Sequence, residues 1–355
     1  MQERIVAAYS ETSKELNILY EKRKRTLFFQ RVMWGITGIY LLFMLALLGM
    51  QYVPKFQNAS WGLFDVFKAT PTNPYASTYP IIGLVILLYP ITIIFTRAFQ
   101  KFKQREKETL AKMVKMLFPK VEFTQGAAPP IKEIIHSKFF VWAKKDTPMY
   151  SFGQIRGRTH NGIISIADIG IVEKNMSNKV TGGLMGIPTL NILVVFYEYV
   201  FKNIVSNTSA DNQYFTYRGM FCWLHFKKKL NGHTVILSND PLTKWDRLAS
   251  FSFRDEHKIH LEDPRFTKNF MVYGTDQVEA RYVLSSSLME RIVALREKFA
   301  RPLFLSFQDK QLYLAVMNDN GLFSFSLGKL EGIKIVEELA SDIETALEIP
   351  DELKL

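Results

Sequence analysis

The stretch VMWGITGIYLLFMLALLGMQY, residues 32–52, contains no charged residue, and YPIIGLVILLYPITIIFT, residues 79–96, repeats that character. A helix rises about 1.5 Å per residue against a hydrocarbon core about 30 Å thick, so roughly 20 apolar residues suffice to cross it. Two membrane spans are expected. The second lies in a charge-free run from Ala69 to Thr96 and has its apolar centre at Ile81–Phe95. Pro90 leaves the carbonyl of Ile86 without its intrahelical donor, which predicts a bend there. Lys22, Arg23, Lys24, Arg25 and Arg31 precede the first span, and Arg97, Lys101, Lys103, Arg105 and Lys107 follow the second; the connecting loop offers only Lys55 and Lys68. The positive-inside rule then places both termini in the cytoplasm.

The same flanks account for the net charge of +11. Residues 1–119 hold 16 Lys and Arg against 7 Asp and Glu, a surplus of nine, and the remaining 29 and 27 leave a surplus of two for residues 120–355. A basic chain invites a nucleic-acid reading, but the larger part of this one has no such surplus, and no nucleic-acid partner is expected. About thirty polar and mixed residues come before the first apolar run, unlike a cleavable signal peptide; that run is expected to stay as an anchor. A single cysteine, Cys222, allows no intrachain disulfide and no thiol-rich metal site. It sits in the apolar run Gly219–Phe226 and reads as a buried, inert thiol.

Four segments follow. Residues 1–31 form an N-terminal cytoplasmic helix, with Ile5, Tyr9, Leu16 and Leu19 on one face and Thr12, Arg23 and Thr26 interrupting a heptad. Residues 32–96 form a two-helix transmembrane hairpin with an external loop at 53–78, whose aromatics Trp61, Phe64, Phe67 and Tyr75 suit headgroup depth. Residues 97–130 form a basic stalk and linker, ended by Gly126–Pro130. Residues 131–355 form a cytoplasmic, mainly antiparallel α+β domain. Its strands are expected at Phe139–Ala143, Tyr150–Arg156, Gly162–Val172, Tyr214–Phe226 and Thr234–Leu237, then near Leu303–Phe307, Gln311–Met317 and Leu322–Ser326. Ser285-Ser-Ser287 with Glu290 opens a helix to about Phe299, and a final helix runs from about Leu330 to Leu347.

Leu190–Val205 breaks the soluble pattern. Asn191, Glu198 and Lys202 fall within about 40° of one another at 100° per residue, a narrow polar stripe on a helix that is otherwise apolar almost all round apart from Asn203. Val194, Glu198, Phe201 and Val205 are its candidate interface residues. Three placements fit: the bilayer interface, the domain core, or an oligomer or partner contact. A third span would put Glu198 and Lys202 in hydrocarbon at a cost of several kcal/mol.

A search for chemistry is mostly negative. The chain shows no phosphate loop ending in Lys-Ser/Thr, no paired histidines with a glutamate on a helix, and no serine nucleophile elbow. The glycines of Thr181–Pro188 lack the strand–turn–helix setting and read as a loop. His257 and His260, with Glu262 and Asp263, offer metal-ligating atoms, but on a strand positions 257 and 260 point to opposite faces. No catalytic residue, metal or cofactor is expected.

The most patterned stretch is residues 259–284, with Gly219–Phe221 before it and Met289–Arg291 after it. Over roughly residues 130–347 the chain resembles the bacterial membrane-protein family catalogued as domain of unknown function 3137, on Asp263, Pro264, Phe266, Phe270, Tyr273, Asp276, Glu279, Ala280, Arg281 and Tyr282. The resemblance implies two N-terminal spans, a C-terminal cytoplasmic domain at the bacterial inner membrane, no established activity, and frequent gene neighbourhood with LemA-family membrane proteins. Read physically, Phe266 and Phe270 share a buried face four residues apart, Asp276 caps the following turn, and Glu279 and Arg281 are placed to pair. Tyr273 and Tyr282 complete the set as structural or binding candidates. The expected function is a non-enzymatic inner-membrane scaffold or partner-binding protein, acting on the lipid bilayer with a LemA-like partner or with further copies of itself. The alternative is a signal-gated oligomeric effector whose cytoplasmic domain senses a ligand.

Overall fold

Helix α1 runs unbroken over Gln2–Tyr52 and α2 over Tyr79–Leu117, so each apolar segment is continuous with a charged one in a single helix. The computed structural model describes residues 1–52, 60, 62–67, 79–140, 142–159, 162–172, 215–225, 232–239, 257–318, 321–323, 325 and 332–353. Residues 190–205, with Val194, Glu198, Phe201 and Val205, lie outside the described residues, as does most of the loop 53–78. The chain divides into two compact units: Met1–Lys14, Glu106–Lys174 and Asp211–Leu355 form one, and Glu15–Arg105 with Asn175–Ala210 the other.

In the second unit α1 and α2 are antiparallel neighbours. Phe95 packs against Phe29 and Ile91, and a Cβ on Gly83 would lie 3.7 Å from the Tyr40 hydroxyl. Leu47 packs with Tyr40, Phe43 and Phe67, the last from the short 3₁₀ turn Gly62–Phe67. Helix α2 continues through Pro90. Side chains at Met33, Trp34, Leu41, Leu45 and other positions in both apolar segments fall outside the description. Among the described residues no helix is long and apolar enough to cross a membrane. Ile39, Leu42, Ile86 and Ile94, which are described, are all exposed.

The first unit is built on a nine-stranded antiparallel sheet in the order β1-β2-β3-β4-β9-β8-β5-β7-β6. The strands are β1 Glu122–Thr124, β2 Met149–Thr159, β3 Gly162–Ile171, β4 Tyr217–His225, β5 His233–Ser238, β6 His257–Lys258, β7 Phe270–Gly274, β8 Leu303–Gln308 and β9 Gln311–Met317. β3 is buried from Ile164 to Ile171, and it reads as the near-continuous apolar run that burial on both faces demands. One face holds Ala167, Ile169, Tyr217, Phe221, Tyr313 and Ala315, covered by Ile134 of the short helix α3 (Ile131–His136) and by Phe139 and Phe140. Helix α7 (Lys334–Leu353) packs on β2 and β3 and against α6 (Ser286–Phe299). Ser285 caps α6 through its side chain, accepting from the Leu288 N–H.

Both helix ends in this unit are tied in. Ile5, Ala8 and Thr12 of α1 are buried, as are Leu110, Met113, Val114 and Leu117 of α2. Glu11 pairs with Lys112 at 3.1 Å, and an Arg4 Nη donates to the Leu117 carbonyl. Thr12, an interruption in the heptad reading, is accommodated because its hydroxyl donates to the Ala8 carbonyl at 2.6 Å.

Three expectations are corrected. Phe139–Ala143 forms no strand among its described residues: Lys138 has φ 56°, the chain turns there, and the two phenylalanines fill the core from outside the sheet. Leu322–Ser326 forms no strand among its described residues, because the backbone N–H groups of Phe323 and Phe325 are spent on carboxylates, those of Asp168 and Glu106. Helix α2 ends at Leu117, and β1 follows before Gly126–Pro130. The last helix extends past Leu347 to Leu353, with Pro350 buried inside it.

Candidate functional site

The family-resemblance residues form one local unit. Asp263 caps α4 (Pro264–Asn269), its carboxylate accepting from Arg265 and Phe266 N–H, and Pro264 occupies the first turn where no N–H is needed. Phe266 and Phe270 are both buried with ring centroids 5.0 Å apart, although Phe270 already starts β7. Asp276 caps α5 (Gln277–Val283) by accepting from Val278 and Glu279 N–H. Ala280 is buried beneath it, whereas Tyr282 is exposed and Tyr273 half-buried on β7. Arg281 donates to the His260 carbonyl at 3.2 Å; two residues apart on a helix, Glu279 and Arg281 point to nearly opposite sides. These residues shape a capped helix–strand–helix, and the two hollows described below are lined by others.

A buried ionic centre was not singled out from the sequence. Asp168 on β3 and Arg218 on β4 are 0% and 2% exposed at the side chain. Their strands are adjacent, with Asp168 opposite Met220 and Gly170 opposite Arg218. The guanidinium meets the carboxylate through both terminal nitrogens, and Nη1 also donates to the Ile169 carbonyl. Asp168 Oδ2 accepts the Phe323 N–H at 2.8 Å, and the Phe152 ring lies 3.7 Å from the guanidinium carbon. Burial raises the Asp168 carboxyl above its ordinary range, while Arg218 and the backbone N–H groups pull it back. Gly321, at φ +76°, makes room: a Cβ there would fall 2.1 Å from Arg218 Nη2. The sequence signal was a lone charge in each of two apolar strands, which needs a buried partner.

The second feature is an open cleft of about 460 Å³ where α3 meets the β8–β9 hairpin, lined by Lys132, Glu133, His136, His225, Asp309, Lys310 and Gln311. The Tyr313 hydroxyl donates to Glu133 Oε2 at 3.2 Å and accepts from His136 Nδ1 at 2.7 Å. That directs His136 Nε2 toward Asp309 Oδ2, 3.9 Å away. Asp309 holds φ 53° in the hairpin turn, a conformation that Asp tolerates. His225 Nδ1 donates to the Lys310 carbonyl and its Nε2 accepts from Gln311, both at 3.2 Å. The Glu–Tyr–His arrangement has the look of a catalytic relay, but Tyr313 is buried, and burial together with Glu133 pushes its hydroxyl well above the ordinary range. Its hydrogen bonds hold Glu133 and His136 in place. Cys222 is likewise buried with its thiol pushed up by burial. Among the described residues no group of three or more His, Cys, Asp and Glu could hold a metal ion.

The fold is thus an α+β antiparallel-sheet protein carrying a helical hairpin. Residues 215–355 match the family described as "Protein of unknown function (DUF3137)", so the resemblance holds over that part of the chain and takes in Arg218 but not Asp168. No curated protein matches. The crystal structure of the mycobacterial trehalose monomycolate transport factor A, TtfA, aligns with a TM-score of 0.31 at 10% identity, covering 68% of this chain and 95% of that one.

Proposed function

We propose that the protein is a membrane-tethered, non-catalytic binding module of the bacterial inner membrane, with both termini and the sheet unit in the cytoplasm. The observation that carries the reading is the exposure of Ile39, Leu42, Ile86 and Ile94 along the uncharged arms of an antiparallel helix pair. Such a surface is unfavourable in water and natural in lipid. Met1–Lys14 and Glu106–Leu117 belong to the sheet unit, so a hairpin crossing at 32–52 and 79–96 returns both ends to one side. The basic flanks make that side the cytoplasm. Pro90 within the second arm has its missing donor bond met locally in lipid.

The partner contact is assigned to the cleft, where Lys132 and Lys310 stand beside Glu133 and Asp309, a mixed charge pattern suited to a polar protein surface. A LemA-family membrane protein is the partner class the family resemblance implies, and a second copy of the chain is the other. The test is co-purification of the full chain in mild detergent from its native membranes. The Lys132→Glu/Lys310→Glu variant is expected to lose a stoichiometric partner by tenfold or more, while the exposed control Val278→Arg keeps it. Retention of the partner by the cleft variant removes the cleft from the account; a halved assembly mass in that variant identifies the partner as a second copy.

A further inference from the structure

The helix pair carries a second hollow, of about 680 Å³, on the charged part of α1 just before the apolar run. Lys22, Lys24, Arg25 and Arg31 line it, with Leu27 and Phe28 between them. Glu21 is the sole carboxylate among the lining residues. Phe28 is 63% exposed and Leu27 is exposed as well. An aromatic ring and a leucine open to solvent amid four cations, four and five residues before Val32, form the amphipathic pattern of the headgroup boundary, with apolar tips reaching inward and charge held at the phosphate level.

The second arm adds to the field. Lys101 and Arg105 of α2 act on Lys22, whose ammonium is pushed below its ordinary range by partial burial first and by these two charges next. A site that penalises its own cation in this way gains when a counter-anion enters. Arg25 also leans over the Phe29 ring at 6.0 Å and Lys103 over the Phe99 ring at 5.9 Å, so aromatic faces steady part of the cationic belt.

We propose that this hollow seats the phosphodiester headgroup of an anionic phospholipid, with Lys24, Arg25 and Arg31 around the phosphate and Phe28 and Leu27 against the start of the acyl chains. The inference rests on the membrane-tether reading and adds lipid selectivity to it. A bidentate Arg–phosphate contact is the natural geometry for Arg25 and Arg31. Each basic residue close to an anionic surface is worth about 1 kcal/mol, which is about fivefold in affinity. Removing three is expected to weaken headgroup binding on the order of 100-fold.

The test uses the full chain in a neutral detergent, titrated with short-chain phosphatidylglycerol or phosphatidylcholine, and reads the rise in Tm together with bound lipids counted by native mass spectrometry. The expected result is a rise with phosphatidylglycerol alone, absent in the Lys24→Gln/Arg25→Gln/Arg31→Gln variant and kept in a Lys120→Gln/Lys145→Gln control, both exposed lysines outside either hollow. Salt raised from about 50 to 500 mM on the wild type is expected to erase the preference, because exposed charge pairs are screened within a Debye length; this arm needs no variant to fold. Equal response to the two lipids, or an undiminished preference in the triple variant, overturns the proposal. An equal Tm rise with inorganic phosphate overturns it too, since the site would then be a soluble-anion site. Co-flotation with phosphatidylcholine vesicles reads the tether separately: a chain that floats without preferring anionic lipid loses this inference alone, and a chain that does not float loses both.

Discussion

Arg218→Met is expected to destabilise the sheet unit by about 3–5 kcal/mol, because it leaves the Asp168 carboxylate buried without its partner. The side chains are 0% and 2% exposed, so water cannot take over the missing hydrogen bonds, and the Phe152 ring loses the cation it faces. Asp168→Asn alone keeps an acceptor for the Phe323 N–H but leaves the guanidinium uncompensated. The double variant Asp168→Asn/Arg218→Met removes both charges and is expected to recover a large part of the loss, since the cost lies in the orphaned charge more than in the absent attraction. Denaturation of all four proteins closes a double-mutant cycle, and hydrogen exchange at β3 and β4 amides localises the effect. Additive losses would show that the two residues act separately.

Gly219→Ala carries the second large effect. Its φ is +151°, and a Cβ there would lie 2.2 Å from the Val316 carbonyl oxygen and 2.7 Å from the Asn318 N–H nitrogen. The obstructing atoms are backbone, so no side chain can swing away. Strain at such a φ costs about 1–3 kcal/mol before the clash is counted. β4 and β9 must also part where Gly219 faces Met317. The expected outcome is a loss exceeding that of any single surface substitution, with faster amide exchange at Ala315, Val316 and Met317. Unchanged exchange along β9 would mean that the two strands separate more easily than their register suggests.

The elements read most directly from sequence were those with a local cause. An uncharged run, a Ser285 cap followed by an amphipathic stretch, and β-branched segments between glycines each act within a few residues, and α1, α6, β3, β5 and β8 lie where those signals are. Asp276 declares itself in the same way, since a capping carboxylate bonds to N–H groups two and three residues on. What the sequence hid is non-local. Phe139 and Phe140 look like strand residues because a strand and a core-filling turn want the same aromatic side chains. β7 follows directly on α4 at Phe270, and so short an alternating run gives little periodicity. The order that places β5 between β8 and β7 depends on pairings across some seventy residues. Asp168 and Arg218 are separated by 50 positions, and only the sheet shows that they meet. The cleft joins α3 to a hairpin far along the chain, with no spacing motif to announce it.

Topology is the central claim, and the buried Cys222 makes its test simple. Because that thiol is buried and held protonated, the native chain is a silent background for a membrane-impermeant thiol reagent, and a single cysteine is added at Ser60 or at Val278, both exposed in their own units. On intact cells Ser60→Cys is expected to react and Val278→Cys to stay unlabelled until the membrane is opened. Labelling of Val278→Cys on intact cells, or protection of Ser60→Cys until lysis, would contradict a hairpin that crosses the inner membrane with its sheet unit in the cytoplasm.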